Sequence, residues 1–335
     1  MKARLERWLL RRWYGDVAPG PALRLLAWVN GGIIRMRRHF YASGWLRTHR
    51  LPVPVLVVGN LVAGGAGKTP LTIALARALA RRGWKPGIAS RGHGRTSREP
   101  TWARPDSSPA DCGDEPLLIA RQTGLPVAVD RDRAAAARRL VAAGCSLVIA
   151  DDGLQHLRLG RDLEIEVRDG ERRLGNGRLI PAGPLREPAG RGVDFRVING
   201  GDADTGEWRM DLRLGDAQPL GPGEPRPLGL FEPGPVHAIA GIGHPARFFR
   251  ALRAAGLQVI EHAFPDHHRY RPGELEFAPA APRLMTEKDA VKCAGFGLAN
   301  TWSVPAVADL PDAFVEAVHE KLLVHRREPA PGTPP

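Results

Sequence analysis

The chain has 335 residues, of which 43% are apolar and 25% charged, a balance typical of a folded globular protein. Its three cysteines lie far apart without a C-x-x-C pair, which argues against a disulfide framework or a zinc ribbon and favours a reducing, cytoplasmic setting. No run of about 18 uncharged apolar residues is present, so we expect neither a membrane span nor a signal peptide.

Positive charge is concentrated at the start of the chain. The formal net charge is +12, and residues 1–50 alone carry +9 together with four of the eight tryptophans. Apolar residues recur there at helical spacing with arginines between them, which predicts an amphipathic surface helix over residues 2–13. Arginine mixed with tryptophan suits a lipid headgroup boundary, so residues 1–50 are predicted to form membrane-interface helices. An ordinary helix packed on the protein is the alternative. A nucleic-acid partner is not expected, because the rest of the chain offers no basic stripe.

From residue 53 onward, short apolar runs alternate with alanine-rich helical stretches. This alternation predicts an α/β fold with a doubly wound parallel sheet in residues 51–225. The predicted strands cover residues 55–58, 87–89, 127–129, 147–150 and 163–167. The predicted helices cover residues 71–82, 116–122 and 132–143.

A second, smaller α/β domain is predicted over residues 226–326. Residues 213–235 are crowded with glycine and proline and are expected to form a linker or hinge. The β/α rhythm then restarts, with strands at 236–240, 257–260 and 284–286 and helices at 245–255 and 311–323. The tail at 327–335 is expected to be disordered.

The strongest local signal is a phosphate-binding loop of the P-loop NTPase type at residues 59–69, between a predicted strand and a predicted helix. Its glycines let backbone amides approach phosphate oxygens, Lys68 is placed to reach the β- and γ-phosphates, and Thr69 to hold Mg²⁺. Val62 stands where the strict motif has glycine. The predicted nucleotide-binding residues of the loop are Gly64, Gly65, Ala66, Gly67, Lys68 and Thr69.

Three further groups carry candidate chemistry. Asp151 and Asp152 follow an apolar strand, where a carboxylate beside a P-loop holds Mg²⁺; a solvated turn is the alternative. Asp114 and Glu115 open a helix, where acids often only complement the helix dipole, but a carboxylate there is also suited to accept a proton from an attacking hydroxyl. Residues 264–270 hold Asp266, two histidines and a tyrosine, without a second cluster that would favour zinc.

Further motifs follow one another along the chain. They are Gly-Lys-Thr-Pro at 67–70, Ser-Arg-Gly-His-Gly at 90–94, Gly-Asp-Glu-Pro at 113–116, Asp-Asp-Gly-Leu-Gln-His at 151–156, Asn-Gly-Arg at 176–178, Pro-Ala-Gly-Pro-Leu-Arg-Glu at 181–187, Ala-Gly-Ile-Gly at 240–243, the run at 264–270 and Thr-Glu-Lys-Asp-Ala at 286–290. Taken together, these motifs resemble the tetraacyldisaccharide 4′-kinase family, the lipid A kinases of Gram-negative bacteria. His93 stands where the family more often has tyrosine, and Leu154 where it more often has phenylalanine.

The resemblance implies two α/β domains joined by a hinge, with ATP as the phosphate donor and Mg²⁺ as cofactor. The implied acceptor is an acylated glucosamine disaccharide 1-phosphate, met at the cytoplasmic face of the inner membrane by a peripheral enzyme without an obligate protein partner. By position, Asp114 resembles the general base and His267 its partner. By position, Asp151 and Asp152 belong to the metal and water network, and Arg186 and Glu187 lie near nucleotide or metal. We expect Lys68 and Asp152 to act in catalysis with the Asp114–His267 pair, and Thr69, Asp151 and Glu115 to be the metal ligands. A membrane-associated P-loop switch ATPase is the alternative, although such a protein needs no second domain with an Asp-His motif.

Overall fold

The structure is a computed structural model that describes the backbone of residues 2–231 and 233–326, and side chains from residue 8 onward. The tail predicted to be disordered, residues 327–335, lies outside the described residues. Two sheets organise the chain. We call the nine-stranded sheet with its helices the larger unit, and the five-stranded sheet with its helices the smaller unit.

In the larger unit the strand order is β14-β8-β7-β6-β1-β5-β2-β4-β3, parallel except for the two edge pairs β14·β8 and β3·β4. The strands are β1 (Val55–Gly59), β2 (Pro86–Ser90), β3 (Thr101–Ala103), β4 (Val127–Val129), β5 (Leu147–Asp151), β6 (Leu163–Asp169), β7 (Phe195–Asn199), β8 (Trp208–Leu214) and β14 (Ala306–Asp309). The helices that accompany them are α3 (Lys68–Arg81), α4 (Pro109–Cys112), α5 (Asp114–Thr123), α6 (Arg133–Ala142) and α9 (Asp312–Val324). The central strands β1 and β5 are buried along their whole length, as expected for parallel strands covered on both faces.

In the smaller unit the order is β11-β10-β12-β13-β9, with only β9 antiparallel. Its elements are β9 (Gln218–Pro219), β10 (Pro235–Ala240), α7 (Pro245–Ala254), β11 (Gln258–Ala263), β12 (Arg283–Thr286), α8 (Glu287–Cys293) and β13 (Thr301–Val304), with 3₁₀ turns at Leu228–Phe231 and Pro272–Leu275. Every strand and helix predicted from the sequence is present, with ends within three residues of those expected.

The end of the chain departs from the expected boundaries. Residues 306–324 were assigned to the smaller unit, but β14 pairs with β8 of the larger sheet. Helix α9 buries Phe314, Val318 and Leu322 in the core of the larger unit. The chain therefore leaves the larger unit, forms the smaller one and returns, so the two units are joined by two crossings. The expected linker at 213–235 begins within β8 and also contributes β9.

The N-terminal helices α1 (Lys2–Tyr14) and α2 (Pro21–Ala42) lie against the larger unit. Near the end of α1, Trp13 Nε1 donates to the carbonyl of Pro181 (3.1 Å), and Asn176 Nδ2 donates to the carbonyl of Arg12 (2.9 Å). The second half of the helix predicted at 2–13 is thus packed on the protein, while the side chains of its first residues lie outside the described part. No helix in the described part of the chain is long and apolar enough to cross a membrane.

Candidate active site

The phosphate-binding loop joins β1 to α3. Gly64 and Gly67 adopt φ values of 114° and 95°, a left-handed conformation that glycine adopts without a steric penalty. A Cβ on Gly67 would lie 2.4 Å from Asn199 Nδ2, and this amide donates to the carbonyl of Ala66 at 3.0 Å. Asn199, at the end of β7, therefore supports the loop through this hydrogen bond and leaves no room for a side chain at position 67.

Lys68 turns back over the loop. Its Nζ donates to Asn60 Oδ1 (3.2 Å) and lies 3.8 Å from Asp152 Oδ1, while Asn60 Nδ2 donates to the carbonyl of Gly64 (3.2 Å). The lysine, the loop and the acidic end of β5 are thereby brought together. That Lys68 serves a bound phosphate stays a prediction.

Asp151 is the last residue of β5 and is fully buried. Its Oδ1 accepts from the hydroxyl of Thr72 at 3.2 Å. Burial raises its pKa to about 7, and the nearby carboxylates of Glu115 and Asp152 contribute in the same direction. A buried carboxylate with a raised pKa is one that an added cation would stabilise.

Asp152 behaves in the opposite way. Burial alone would raise its pKa, but Lys68 and Arg186 outweigh burial and lower it to about 2. Arg186 Nη1 lies 2.9 Å from Asp152 Oδ2, and Arg133 Nη2 donates to the backbone carbonyl of Asp152 at 2.8 Å. Asp152 is therefore ionised at neutral pH and held between cations.

Asp114 and His267 meet although 153 residues separate them. His267 Nδ1 lies 3.1 Å from Asp114 Oδ2, which joins α5 of the larger unit to the loop after β11 of the smaller unit. This hydrogen bond raises the pKa of His267. Burial works against ionisation of Asp114, but the bond from His267 and the charge of Lys288 outweigh it and lower its pKa. The pair is thus a carboxylate beside an imidazole, with 7% and 26% of the two side chains exposed.

Two of the predicted residues have ion-pair partners of their own. Glu187 is buried and pairs with Arg191 (2.7 Å) and Arg38 (3.4 Å), so it does not reach the Lys68 cluster. Glu115 Oε1 lies 3.0 Å from Lys288 Nζ. Arg186, by contrast, faces the cluster through Asp152.

Two adjoining hollows lie between the units. The first, of about 600 Å³, is polar and is lined by residues of both units, among them Lys68 of the larger and His267 of the smaller. The second, of about 220 Å³, opens from Gly67 and Thr69 and is lined by apolar side chains of both units, among them Leu212, Leu214, Ile242, Phe248 and Val304. The sequence did not predict the cationic lining of the first hollow, because the positions of these residues along the chain do not show that they face one cavity. Arg91 and Lys288 lie in motifs noted above but were given no role there. The lining cations are Arg37, Arg91, Arg131, Arg133 and Lys288.

The fold and the site together define a class of protein. A phosphate-binding loop with its lysine, carboxylates at the end of the neighbouring strand and a cationic cleft closed by a second unit are the parts of a P-loop phosphotransferase.

Comparison with known proteins narrows this class. The family model described as tetraacyldisaccharide-1-P 4′-kinase matches residues 20–323. The tetraacyldisaccharide 4′-kinase of Stenotrophomonas maltophilia is 54% identical over 325 residues, covering 92% of this chain and 95% of the relative. The enzyme of the same name from Xanthomonas euvesicatoria is 54% identical over 329 residues, with 92% and 94% covered.

Among solved structures, a crystal structure of LpxK from Aquifex aeolicus in complex with ATP is 29% identical with a TM-score of 0.74. The match covers 90% of this chain and 98% of that one. The chain belongs to the tetraacyldisaccharide 4′-kinase family and is a kinase. Membership of this family disfavours the switch ATPase.

Proposed function

We propose that the protein transfers the γ-phosphate of ATP to the 4′-hydroxyl of a tetraacylated glucosamine disaccharide 1-phosphate, which forms lipid IVA. The observation that carries this proposal is the placement of Lys68 and of His267, whose ring is hydrogen-bonded to Asp114, on one cleft. The reaction needs a site for the phosphate donor, a site for the acceptor hydroxyl and a group that accepts its proton. Lys68 marks the first, and the Asp114–His267 pair is suited to the other two.

The nucleotide is assigned to the loop and to the apolar hollow beside it. Amides of residues 64–68 and the first turn of α3 supply positive potential for the phosphates, and Lys68 neutralises the terminal phosphate. The apolar hollow continues from Thr69 and suits a nucleoside. The relative from Aquifex aeolicus was solved in complex with ATP, which supports this assignment.

Mg²⁺ fits the oxygen donors at the end of β5. Within residues 2–231 and 233–326, no three His, Cys, Asp or Glu side chains are grouped to enclose a metal ion. Mg²⁺ commonly binds through one or two carboxylates together with substrate phosphates and water. Asp151, whose carboxylate receives only the Thr72 hydroxyl bond among the described residues, and the Thr69 hydroxyl are the proposed ligands. The ion would neutralise charge on the phosphates. Glu115, already paired with Lys288, is a weaker candidate.

The Asp114–His267 pair is assigned to the acceptor hydroxyl. A sugar hydroxyl is a poor nucleophile at neutral pH, and a positioned base contributes typically about 10²–10⁴-fold. The carboxylate is ionised under these conditions, since its pKa is lowered, and is therefore able to take the proton as phosphate is transferred. Arg186 and Asp152, paired at 2.9 Å, line the same cleft.

The acceptor is a lipid, and α2 offers a surface for the membrane that contains it. One side of α2 presents an exposed apolar stripe in which each side chain is 44–62% exposed: Leu25, Leu26, Val29, Ile33 and Met36. Arginines flank this stripe, a combination suited to an anionic lipid surface. The interfacial role expected for residues 2–13 is therefore assigned mainly to α2, at the cytoplasmic face of the inner membrane.

A vesicle experiment tests this surface. Val29→Asn with Ile33→Asn should reduce sedimentation with vesicles of phosphatidylethanolamine and phosphatidylglycerol, whereas Val324→Asn, 82% exposed at the end of α9, should leave it unchanged. Equal sedimentation of the unmodified protein, the double variant and Val324→Asn would contradict the assignment of α2.

An activity assay tests the reaction itself. The purified protein with Mg²⁺ and ATP should convert a 1-phosphorylated, acylated glucosamine disaccharide in detergent micelles to a bisphosphate detected by mass spectrometry. Absence of this product with fresh acceptor would refute the proposal. Steady ATP hydrolysis without acceptor would instead indicate the switch ATPase.

A further inference from the structure

Lys288, the second residue of α8, places its ammonium group where both units meet. Its Nζ lies 3.0 Å from Glu115 Oε1, 3.2 Å from Asp266 Oδ1 and 3.3 Å from His267 Nε2. An ammonium group has three hydrogens and no lone pair, so each hydrogen has one partner here. Burial would lower the pKa of Lys288, but the carboxylates of Glu115 and Asp266 outweigh burial and raise it, so the group is charged at neutral pH.

This neighbour decides where His267 carries its hydrogen. Because Lys288 can only donate, Nε2 of His267 must accept, and the hydrogen of the neutral imidazole is then on Nδ1. Nδ1 lies 3.1 Å from Asp114 Oδ2 and donates to it. The other tautomer would set two donors against each other at Nε2 and leave a lone pair facing a carboxylate at Nδ1.

We propose that Lys288 is a positioning residue for phosphoryl transfer, which holds His267 in the tautomer that donates from Nδ1 to Asp114. The proposal rests on the function assigned above to the Asp114–His267 pair. With Nε2 occupied by a charged donor, the imidazole orients the carboxylate and does not itself take the proton. The hydroxyl proton therefore goes to Asp114.

Lys292 provides a matched control on the same helix. It lies about one turn beyond Lys288, with Nζ 2.7 Å from Asp289 Oδ1 and 5.0 Å from the centre of the Tyr270 ring. Both lysines are largely buried and each is paired with carboxylate, so loss of either removes a buried cation from α8. Of these two lysines, Lys288 contacts His267 and Lys292 does not.

The test compares Lys288→Met, Lys288→Gln and Lys292→Met with the unmodified protein. Histidine labelled with ¹⁵N reports the tautomer by NMR, with the His267 signal assigned from its absence in His267→Asn. We expect Nδ1–H in the unmodified protein, loss of this single tautomer in Lys288→Met, and a kcat lowered about 10- to 100-fold with KM for ATP and lipid changed less than about twofold. Lys288→Gln keeps an N–H donor on a shorter side chain and should keep the tautomer and most of kcat if that donor reaches Nε2. Lys292→Met should keep both.

Several results would overturn the role of Lys288. These are an Nε2–H tautomer in the unmodified protein, an unchanged kcat in folded Lys288→Met, or an equal loss of kcat in Lys292→Met. If Lys288→Met does not fold, Lys288→Gln decides, because a lost tautomer with full kcat contradicts the proposal and a retained tautomer with retained kcat supports it. Failure of the proposed function is distinguishable, since the unmodified protein would then not phosphorylate the lipid.

Discussion

Gly243 is the point at which the smaller unit touches the phosphate-binding loop. It lies in the turn between β10 and α7, and a Cβ at this position would be 2.7 Å from the backbone nitrogen of Gly65. Gly65 contributes one of the amides assigned to the phosphates of ATP. The φ of Gly243 is outside the left-handed region, so alanine is compatible with the backbone and the change would act mainly through this contact.

Gly243→Ala should therefore displace the loop or the smaller unit. The contact would be about 0.7 Å shorter than the 3.4 Å at which ordinary van der Waals contact begins, and one of the two backbones must move by a similar amount. A misplacement of about 1 Å at a reacting centre can cost about 10²-fold. We expect kcat/KM to fall about 10- to 100-fold, or about 1.4–2.7 kcal/mol of transition-state stabilisation.

The assay is steady-state kinetics with both substrates, combined with ATP titration calorimetry and thermal unfolding. Gly273→Ala is the control, because a Cβ there meets no atom within 4 Å and its φ is also outside the left-handed region. The variant at 243 should bind ATP more weakly, while the control keeps the affinity and rate of the unmodified protein. Equal kcat/KM for the two folded variants would refute the role given to this contact.

Other predictions concern the loop, the metal and the link between the units. Lys68→Met should lose ATP affinity and turnover together, whereas Asp114→Asn should keep ATP affinity by calorimetry and lose about 10²-fold or more in kcat; a normal kcat would contradict its assignment as base. Burial raises the pKa of Asp151 to about 7, so protons should compete with Mg²⁺ below that pH. The Mg²⁺ concentration for half-maximal rate should then rise towards about 10-fold per pH unit below about pH 7, and a flat requirement would refute its role as ligand. Arg247 of the smaller unit donates to Asn199 Oδ1 of the larger unit at 2.7 Å. Arg247→Gln should therefore change kcat and KM together. Unchanged kinetics would exclude a role of Arg247 in seating the smaller unit.

Much of the fold could be predicted because its central strands are buried on both faces. Such strands appear as continuous apolar runs, as in β1 and β5. The helices between the strands are recognised as alanine-rich stretches that end near a glycine. The return of the chain to the larger sheet could not be predicted. The residue pattern of β14 and α9 indicates a strand and a helix, but not the sheet with which they pair.

The site divides in the same way. The phosphate-binding loop is local, so its glycines and Lys68 carry their own signal. The contact between Asp114 and His267 joins two units and was expected only from a family resemblance. Lys288 lies within a motif that contributed to the resemblance, yet a lysine in the first turn of a helix gives no sign from sequence that it is buried beside an imidazole.

The division of the site between two units has a consequence for water. The loop, Lys68 and the carboxylates at the end of β5 all belong to the larger unit, to which the phosphates of ATP are assigned, whereas the apolar hollow assigned to the nucleoside is lined by both units. His267 and Lys288, which orient Asp114, belong to the smaller unit, so the oriented base exists only when α8 is seated against α5. A water molecule that reaches ATP while the units are apart therefore meets a carboxylate that nothing orients. We therefore expect the seated smaller unit to complete the proposed base and so to favour transfer to the lipid hydroxyl over hydrolysis.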